Sequence, residues 1–347
     1  MKKILSMILC TALLAAALCG CGSNAGTPAE NKPAAEISAS ENSAAEPIVL
    51  RCGITVSGES LPAEALNHFN EKLQESTNGQ IRIEVYYDGT LGNERDVIEG
   101  VSMGTIEMYA GSTAPLSNFV SDFNILDLPY VADINNLEKT YEVFDGEIGQ
   151  KMLDSLSTVG IKGLAVTHQG FRCMLNSKNE VAVPADAKNL VIRTMENDIH
   201  LEFYRTIGAN PVAMSSTEAF TALAQGTIDG MDNILDAFYT QGAFESAKYL
   251  SLTGHILSGY VFAVNSDVFN SLSPELQSAF VEAGKAAGVY LRDRAMDKMS
   301  EIIDIAKKDY GVTVTEVDTS VWKEASASVA EAYKESIDAE YWNAFYN

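Results

Sequence analysis

Apolar positions along the chain alternate between two spacings from residue 48 onward. Ile48 to Val56 is an apolar-rich run of strand type that ends in Ser57-Gly58. Leu66, Phe69 and Leu73 then recur at helical spacing. Ser60 is placed to cap that helix, Pro62 falls early where its missing N–H costs nothing, and Asn78-Gly79 stops it. Ile81, Ile83 and Val85 return to alternation, Asn93 opens a helix through Val97, Val101 and Met103, and 106–110 is the next strand. It runs into a small polar turn, Gly111-Ser112-Thr113. This order predicts βαβ units and a mostly parallel sheet. Ligands of such sheets sit beyond the carboxyl ends of the strands, where Ser57 and Ser112 fall. Plain turn residues would occupy the same positions.

Asp127-Leu128-Pro129-Tyr130 breaks the pattern, and two helices are predicted over 136–144 and 147–158. A strand over 161–167 leads through His168-Gln169-Gly170 to Arg172, where a second set of elements begins. That set has a strand carrying Arg193, a helix over 199–207 ending at Gly208-Ala209-Asn210-Pro211, and a helix over 217–225. A short strand around Ile228 and Met231 then delivers Asp232 and Asn233, and an apolar strand over 260–265 returns to the first set. Ser273-Pro274 caps a helix free to run to Asp309. Such a helix would extend ~54 Å, longer than one small domain is wide, so it is predicted to span two. Val312, Val314 and Val317 make a late strand, and 322–345 reads as amphipathic and helical.

Arg193 stands in the middle of the apolar stretch Leu190-Val191-Ile192-Arg193-Thr194. A guanidinium is permanently charged and almost never buried unpaired, so an anion is expected to face it. An internal carboxylate would satisfy it as well as a ligand would. The flanks Gly170-Phe171-Arg172 and Asp229-Gly230-Met231-Asp232-Asn233 favour the ligand. A guanidinium meets a carboxylate with two parallel charge-assisted hydrogen bonds, and an Asn amide adds a donor without charge.

The first twenty residues do not belong to the fold. Lys2 and Lys3, an apolar run to Leu18 and small residues after it form a secretory signal over 1–20. Leu18-Cys19-Gly20-Cys21 resembles a bacterial lipobox, which makes Cys21 the lipidated N-terminus of an extracytoplasmic, membrane-anchored protein. Residues 21–47 are rich in Ala, Glu, Ser, Asn and Pro, a composition that cannot offset its ordering entropy, and read as a flexible tether. Of the five cysteines only Cys52 and Cys173 remain in the mature domain, and two buried thiols are expected. The net charge is −23, or −25 once Lys2 and Lys3 are removed, which argues against nucleic acid as a partner. No nucleophile elbow, phosphate loop, Gly-rich dinucleotide turn, HExxH or zinc-type Cys/His spacing occurs, so neither an enzyme nor a cofactor is expected.

Nine stretches, in order along the chain, carry a resemblance. They are Leu91-Gly92-Asn93-Glu94-Arg95, Gly111 to Phe119, Asp127 to Tyr130, Asp145 to Gly149, Gly170 to Arg172, Ile192 to Asn197, Gly208 to Pro211, Asp229 to Asn233 and Tyr249 to His255. Together they resemble the substrate-binding subunit of tripartite ATP-independent periplasmic (TRAP) transporters, the DctP family. The resemblance implies a two-domain α/β periplasmic-binding-protein fold that closes over an organic anion and serves small and large membrane subunits. It places domain I at 48–169 plus about 258–297, and domain II at 170–257 plus about 298–347. Arg193 matches the arginine that forks onto the ligand carboxylate, Arg172 the second site arginine and Asn233 the amide beside them. Ser112 stands where a sialic-acid-binding member has a glutamate, which disfavours sialic acid. Met231-Asp232 stands where many members have Gln-Glu. Small polar positions (Ser57, Ser112, Ser215) around two arginines suit a sugar acid such as a hexuronate, with C4-dicarboxylates next.

Overall fold

Side-chain caps set where several helices begin. Ser60 Oγ accepts the Ala63 N–H, Asn93 and Asp96 form a reciprocal capping box, and Ser273 Oγ accepts the Leu276 N–H. The computed structural model describes residues 46–346. The expected signal, Cys21 and the tether up to residue 45 lie outside the described residues.

The chain opens with β1 (Ile48–Gly53), α1 (Leu61–Ser76), β2 (Ile81–Tyr86), α2 (Glu94–Met103) and β3 (Met108–Ser112). Short helices α3 (Thr113–Leu116) and α4 (Asn124–Asp127) lead to α5 (Glu138–Asp145), α6 (Glu147–Ser155) and the long β4 (Ile161–Asn176). Next come β5 (Val191–Thr194), α7 (Asp198–Thr206), β6 (Asn210–Ala213), α8 (Ser216–Gln225), β7 (Gly230–Asn233), α9 (Leu235–Thr240) and α10 (Ala243–Ser246). A second long strand, β8 (Tyr249–Asn265), is followed by α11 (Ser266–Ser271), α12 (Pro274–Asp309), β9 (Thr313–Glu316), α13 (Thr319–Tyr333) and α14 (Ala339–Tyr346).

One mixed sheet runs through the molecule in the order β2-β1-β3-β8-β4-β7-β5-β6, with β9 on β8. β1, β2 and β3 are parallel to each other, as are β5, β6 and β7. The antiparallel pairs β3–β8, β8–β4 and β4–β7 join the two sets. The second set therefore runs opposite to the first, and both direct their carboxyl ends at the gap between them. Two core clusters fill the first half and two the second.

β4 and β8 belong to both halves, and here the sequence pattern misleads. Only 161–167 and 260–265 read as strands, whereas both continue for about nine or more residues through His168-Gln169-Gly170 and through 249–259. Small and polar residues interrupt the apolar run, yet both strands are buried almost throughout. Pairing slips at the crossing, from His168 opposite Gly259 to Phe171 opposite Leu257. Gly170 takes φ +113° there, a left-handed conformation that a side chain would resist. β6 was also hidden, because Asn210-Pro211 resembles a helix stop; proline is tolerated here because β6 is the sheet's edge.

α12 is the 36-residue helix expected, and its early turns (Phe280, Ala283, Ala287, Leu291) pack in the first half while Ile302 and Ala306 pack in the second. Gly284 allows the close approach, since a Cβ there would lie 3.0 Å from Leu164 Cβ. The C-terminal segment is helical, as expected, and departs from expectation in where it packs. It is two helices, because the chain turns at 334–336 and the Asp338 carboxylate caps a new start by accepting the Glu340 N–H. It does not stay with the second half. Tyr341 and Phe345 are buried in the first-half core, Tyr341 Oη donates to Asp122, and Lys151 bridges Asp338 and Glu340. Assigning all of 298–347 to domain II is corrected accordingly.

Candidate binding site

The gap between the facing strand ends is a polar cavity lined by Glu94 from the first turn of α2, Ser112 at the end of β3, Gln169 and Arg172 on β4, Arg193 on β5, Asn233 on β7 and Tyr260 on β8. Ile54, Met195, Ile234 and Ala237 add apolar wall. Four of the six expected site residues thus converge. The other two do not line it. Ser57 sits in the turn after β1, where its Oγ accepts the Glu59 N–H, and Ser215 caps α8 through a capping box with Glu218. Ser216, its neighbour, reaches the wall instead.

The two arginines differ in kind. Arg172 is 2% exposed and fully engaged: Nε and Nη2 fork onto the Asp232 carboxylate at 2.9 Å each, and Nη2 also reaches the Asp232 carbonyl. Burial alone would raise the Asp232 carboxyl, but the Arg172 charge and hydrogen bonds outweigh it and hold it well below the usual range. His255 Nε2 approaches the same carboxylate at 3.4 Å. Arg193 is 1% exposed and has no carboxylate in hydrogen-bond reach among the described residues; its Nε and Nη2 both donate to the Met214 carbonyl, at 2.9 and 2.6 Å. Burial, with Arg172 nearby, pulls its guanidinium down to about 10. An internal anion was one expectation for Arg193, and the structure gives that anion to Arg172.

Around this uncompensated cation stand groups able to accept or donate. Glu94 Oε1 accepts the Ser112 N–H at 2.8 Å, and burial raises its carboxyl against the pull of Ser112 and both arginines. Gln169 Nε2 donates to Ser112 Oγ and Ser258 Oγ. Both hydrogen bonds of the Asn233 amide fall on its oxygen, which leaves the NH2 as donor. The Tyr260 hydroxyl is buried without a partner among the described residues. Sequence reasoning missed Glu94, Gln169 and Tyr260 as site residues. Glu94 stood only within the motif Leu91 to Arg95, and Gln169 and Tyr260 sat where strands were expected to begin or end. The free volume is about 30 Å³, room for a water or two, so a sugar-sized ligand requires the walls to part.

At the lip, Asn197 Nδ2 donates to the Ala114 carbonyl, Ser117 Oγ and Asp127, and Asn118 Nδ2 donates to the Glu196 carbonyl. These contacts tie the start of α7 to the segment after β3. Cys52 and Cys173 are free, buried and pushed up to about 12 by burial, as inert thiols are. Among the described residues no group of three His, Cys, Asp or Glu side chains is placed to hold a metal ion.

A two-domain α/β receptor with an anion-capturing cleft is the class this fold and site define. Residues 52–336 match the family model DctP, bacterial extracellular solute-binding protein, family 7, and the chain belongs to that family. It is similar to the 2,3-diketo-L-gulonate-binding periplasmic protein YiaO of Escherichia coli K12, with 33% identity over 80% of this chain and 84% of that protein. It is similar in structure to a TRAP periplasmic solute-binding protein of Polaromonas bound to D-erythronate, with TM-score 0.82 and 34% identity over 86% of this chain and 98% of that one. Another such protein, from Sulfitobacter with bound β-D-galacturonate, gives TM-score 0.79 and 28% identity over 86% and 98%. The family is one of extracytoplasmic transport receptors.

Proposed function

We propose that the protein captures a hydroxylated monocarboxylate, a sugar acid of the hexuronate or aldonate type, and delivers it to the membrane subunits of a TRAP transporter. The observation that carries this reading is the inequality of the two arginines. Arg172 is neutralised by Asp232, so among the described residues the cavity offers one free cation, Arg193, for one carboxylate. The free edge of its guanidinium, Nη1 with the second Nη2 hydrogen, takes the carboxylate, with the Asn233 NH2 beside it. Glu94, Gln169 and Tyr260 then face the remainder of the ligand, where only hydroxyl groups would answer an acceptor, an amide and a phenol together. A C4-dicarboxylate would bring its second charge to Glu94. The similar proteins named above hold or are named for diketo-gulonate, erythronate and galacturonate, all hydroxylated acids, which supports the same class here.

Opening is assigned to rotation at Gly170 on β4, at the facing residues of β8 and in the middle of α12. The membrane attachment proposed is a lipid on Cys21, and mass spectrometry of membrane-extracted protein showing a different, unmodified N-terminus would remove it. Titration calorimetry against glucuronate, galacturonate, galactonate and erythronate, with succinate and malate as the contrasting set, tests the ligand class. Saturable heat is expected from at least one sugar acid. Preference for succinate or malate would overturn the reading.

A further inference from the structure

We propose a second binding site, for an apolar monocarboxylate such as a medium-chain alkanoate, between the α5–α6 corner, the first part of β4 and the middle of α12. A cavity of about 280 Å³ opens there, some nine times the free space in the cleft, and it shares no lining residue with the cleft. Phe144, Leu153, Leu164 and Val166 give it hydrocarbon walls. Its volume is close to the lower end of small-ligand pockets, ~300 Å³.

Two cations, Arg292 and Lys285, stand against these walls. Arg292 is a built feature rather than a surface side chain. Its Nη1 and Nη2 fork onto Asp145 at 2.9 and 2.7 Å, its guanidinium lies 4.6 Å from the centre of the Tyr141 ring, and its side chain is only 11% exposed. Its Nε is buried with no acceptor among the described residues, a charged donor left unmatched. Asp145 on the other side is mostly in water, so an incoming carboxylate competes with a solvated partner. Lys285 is more than half exposed, and its nearest carboxylate, Glu282, is 3.6 Å away. The other carboxylates near these cations, Asp293 at 4.0 Å from the Arg292 Nε and Glu282 beside Lys285, are likewise mostly in water, so a ligand carboxylate displaces solvated partners rather than filling a charge deficit.

The chemistry differs from that of the cleft. Away from Asp145, Gln150 and the two cations the walls are hydrocarbon, so a sugar acid would leave most of its hydroxyl groups without partners. An alkyl chain loses nothing there, and its carboxylate meets the cations. Each methylene that enters is expected to tighten binding about fourfold until the cavity is full.

The test is titration calorimetry of the whole protein with hexanoate, octanoate and decanoate, and with decanol as the uncharged control. Val289, 40% exposed on α12 at the cavity, provides a blocking variant, Val289→Trp, and Lys285→Glu reverses the charge on an exposed side chain. Saturable binding that strengthens with chain length, falls at least fivefold in Lys285→Glu and is lost in a Val289→Trp protein with an unchanged melt would support the site. Retention of that binding in Arg193→Met would support its independence from the cleft. The proposal is overturned if decanoate gives no saturable heat, if decanol binds as tightly, if Lys285→Glu and Val289→Trp bind like wild type, or if Arg193→Met abolishes binding.

Discussion

Replacing Arg193 by methionine is expected to destroy ligand binding while leaving the fold as stable as before or slightly more so. Burial, more than anything else, pulls the guanidinium down from its ordinary value to about 10, which corresponds to ~3 kcal/mol against the charged form. A base whose folded pKa is depressed carries that cost in full at neutral pH, where it is charged folded and unfolded alike. Relief comes only as pH rises past about 10. Methionine removes the charge and fills much of the volume, but it leaves the Met214 carbonyl without its two donors, a loss of ~1–3 kcal/mol. The difference is between nothing and ~2 kcal/mol in favour of the variant, a rise of no more than a few degrees in melting temperature. Binding behaves otherwise. A ligand carboxylate buried without its partner loses ~2–5 kcal/mol, roughly thirty-fold to several thousand-fold in affinity. Arg193→Lys should also weaken binding, because an ammonium cannot present two coplanar donors. Calorimetric melting paired with titration of galacturonate, or of whichever sugar acid binds wild type, reads both quantities. A melting temperature lowered by more than ~5 °C would make the guanidinium a structural anchor. A folded variant that binds like wild type would remove Arg193 from the site.

Glu94→Gln keeps an acceptor for the Ser112 N–H but loses the charge that strengthens bonds from ligand hydroxyls. Sugar-acid affinity should fall several-fold more than that of a deoxygenated acid of equal length, and equal losses in parallel titrations would count against a hydroxyl contact. Asp232→Ala leaves Arg172 buried and uncompensated, a loss of ~3–5 kcal/mol visible in thermal melts; an unchanged melt would refute the pairing. Because the Asp232 carboxyl is held low, its contribution is complete above the ordinary carboxylate range and drains away as pH falls through its depressed value. Asp236 behaves in the opposite sense: burial raises it to about 6, its Oδ1 has no partner among the described residues, and its Oδ2 accepts the Leu61 N–H. Its contribution is full below the unfolded value and is lost as pH rises through about 6, so Asp236→Asn should raise the melting temperature at pH 7.5 and lose that advantage towards pH 4. The same gain at both pH values would show that the carboxyl is not responsible.

Local signals were legible where a single element decides them. Ser60, Asn93 and Ser273 cap as their side chains suggest, and the uninterrupted run from Pro274 to Asp309 could only be one helix. Arg193 and Ser112 could be placed because strand ends facing a gap leave few destinations for them, and Arg172 and Asn233 because they fall in motifs that carry the family resemblance. What escaped was non-local. That Asp232 belongs to Arg172 follows from the β4–β7 register, Met174 opposite Asp232, which no stretch of sequence displays. The continuity of β4 and β8 was masked because strands covered on both faces need not alternate, and a bulge at Gly170 looks like an ending. The return of α14 depends on Tyr341 finding Asp122, more than two hundred residues earlier.

The chain crosses between the halves four times, in β4, β8, α12 and α13, whose Trp322 is buried in one half and Val329 in the other. Neither half is therefore a continuous piece of chain, and no single cut releases one. A fragment ending anywhere before residue 258 lacks the strand that β3 pairs with and leaves β4 open along one edge. Most pairings that complete the sheet must await late residues, so the polypeptide is committed to high contact order and slow assembly. In evolution the same weave forbids exchange of one half for another by joining gene segments. New ligand specificity in this architecture has to come from substitution at the cleft rather than from shuffling of domains.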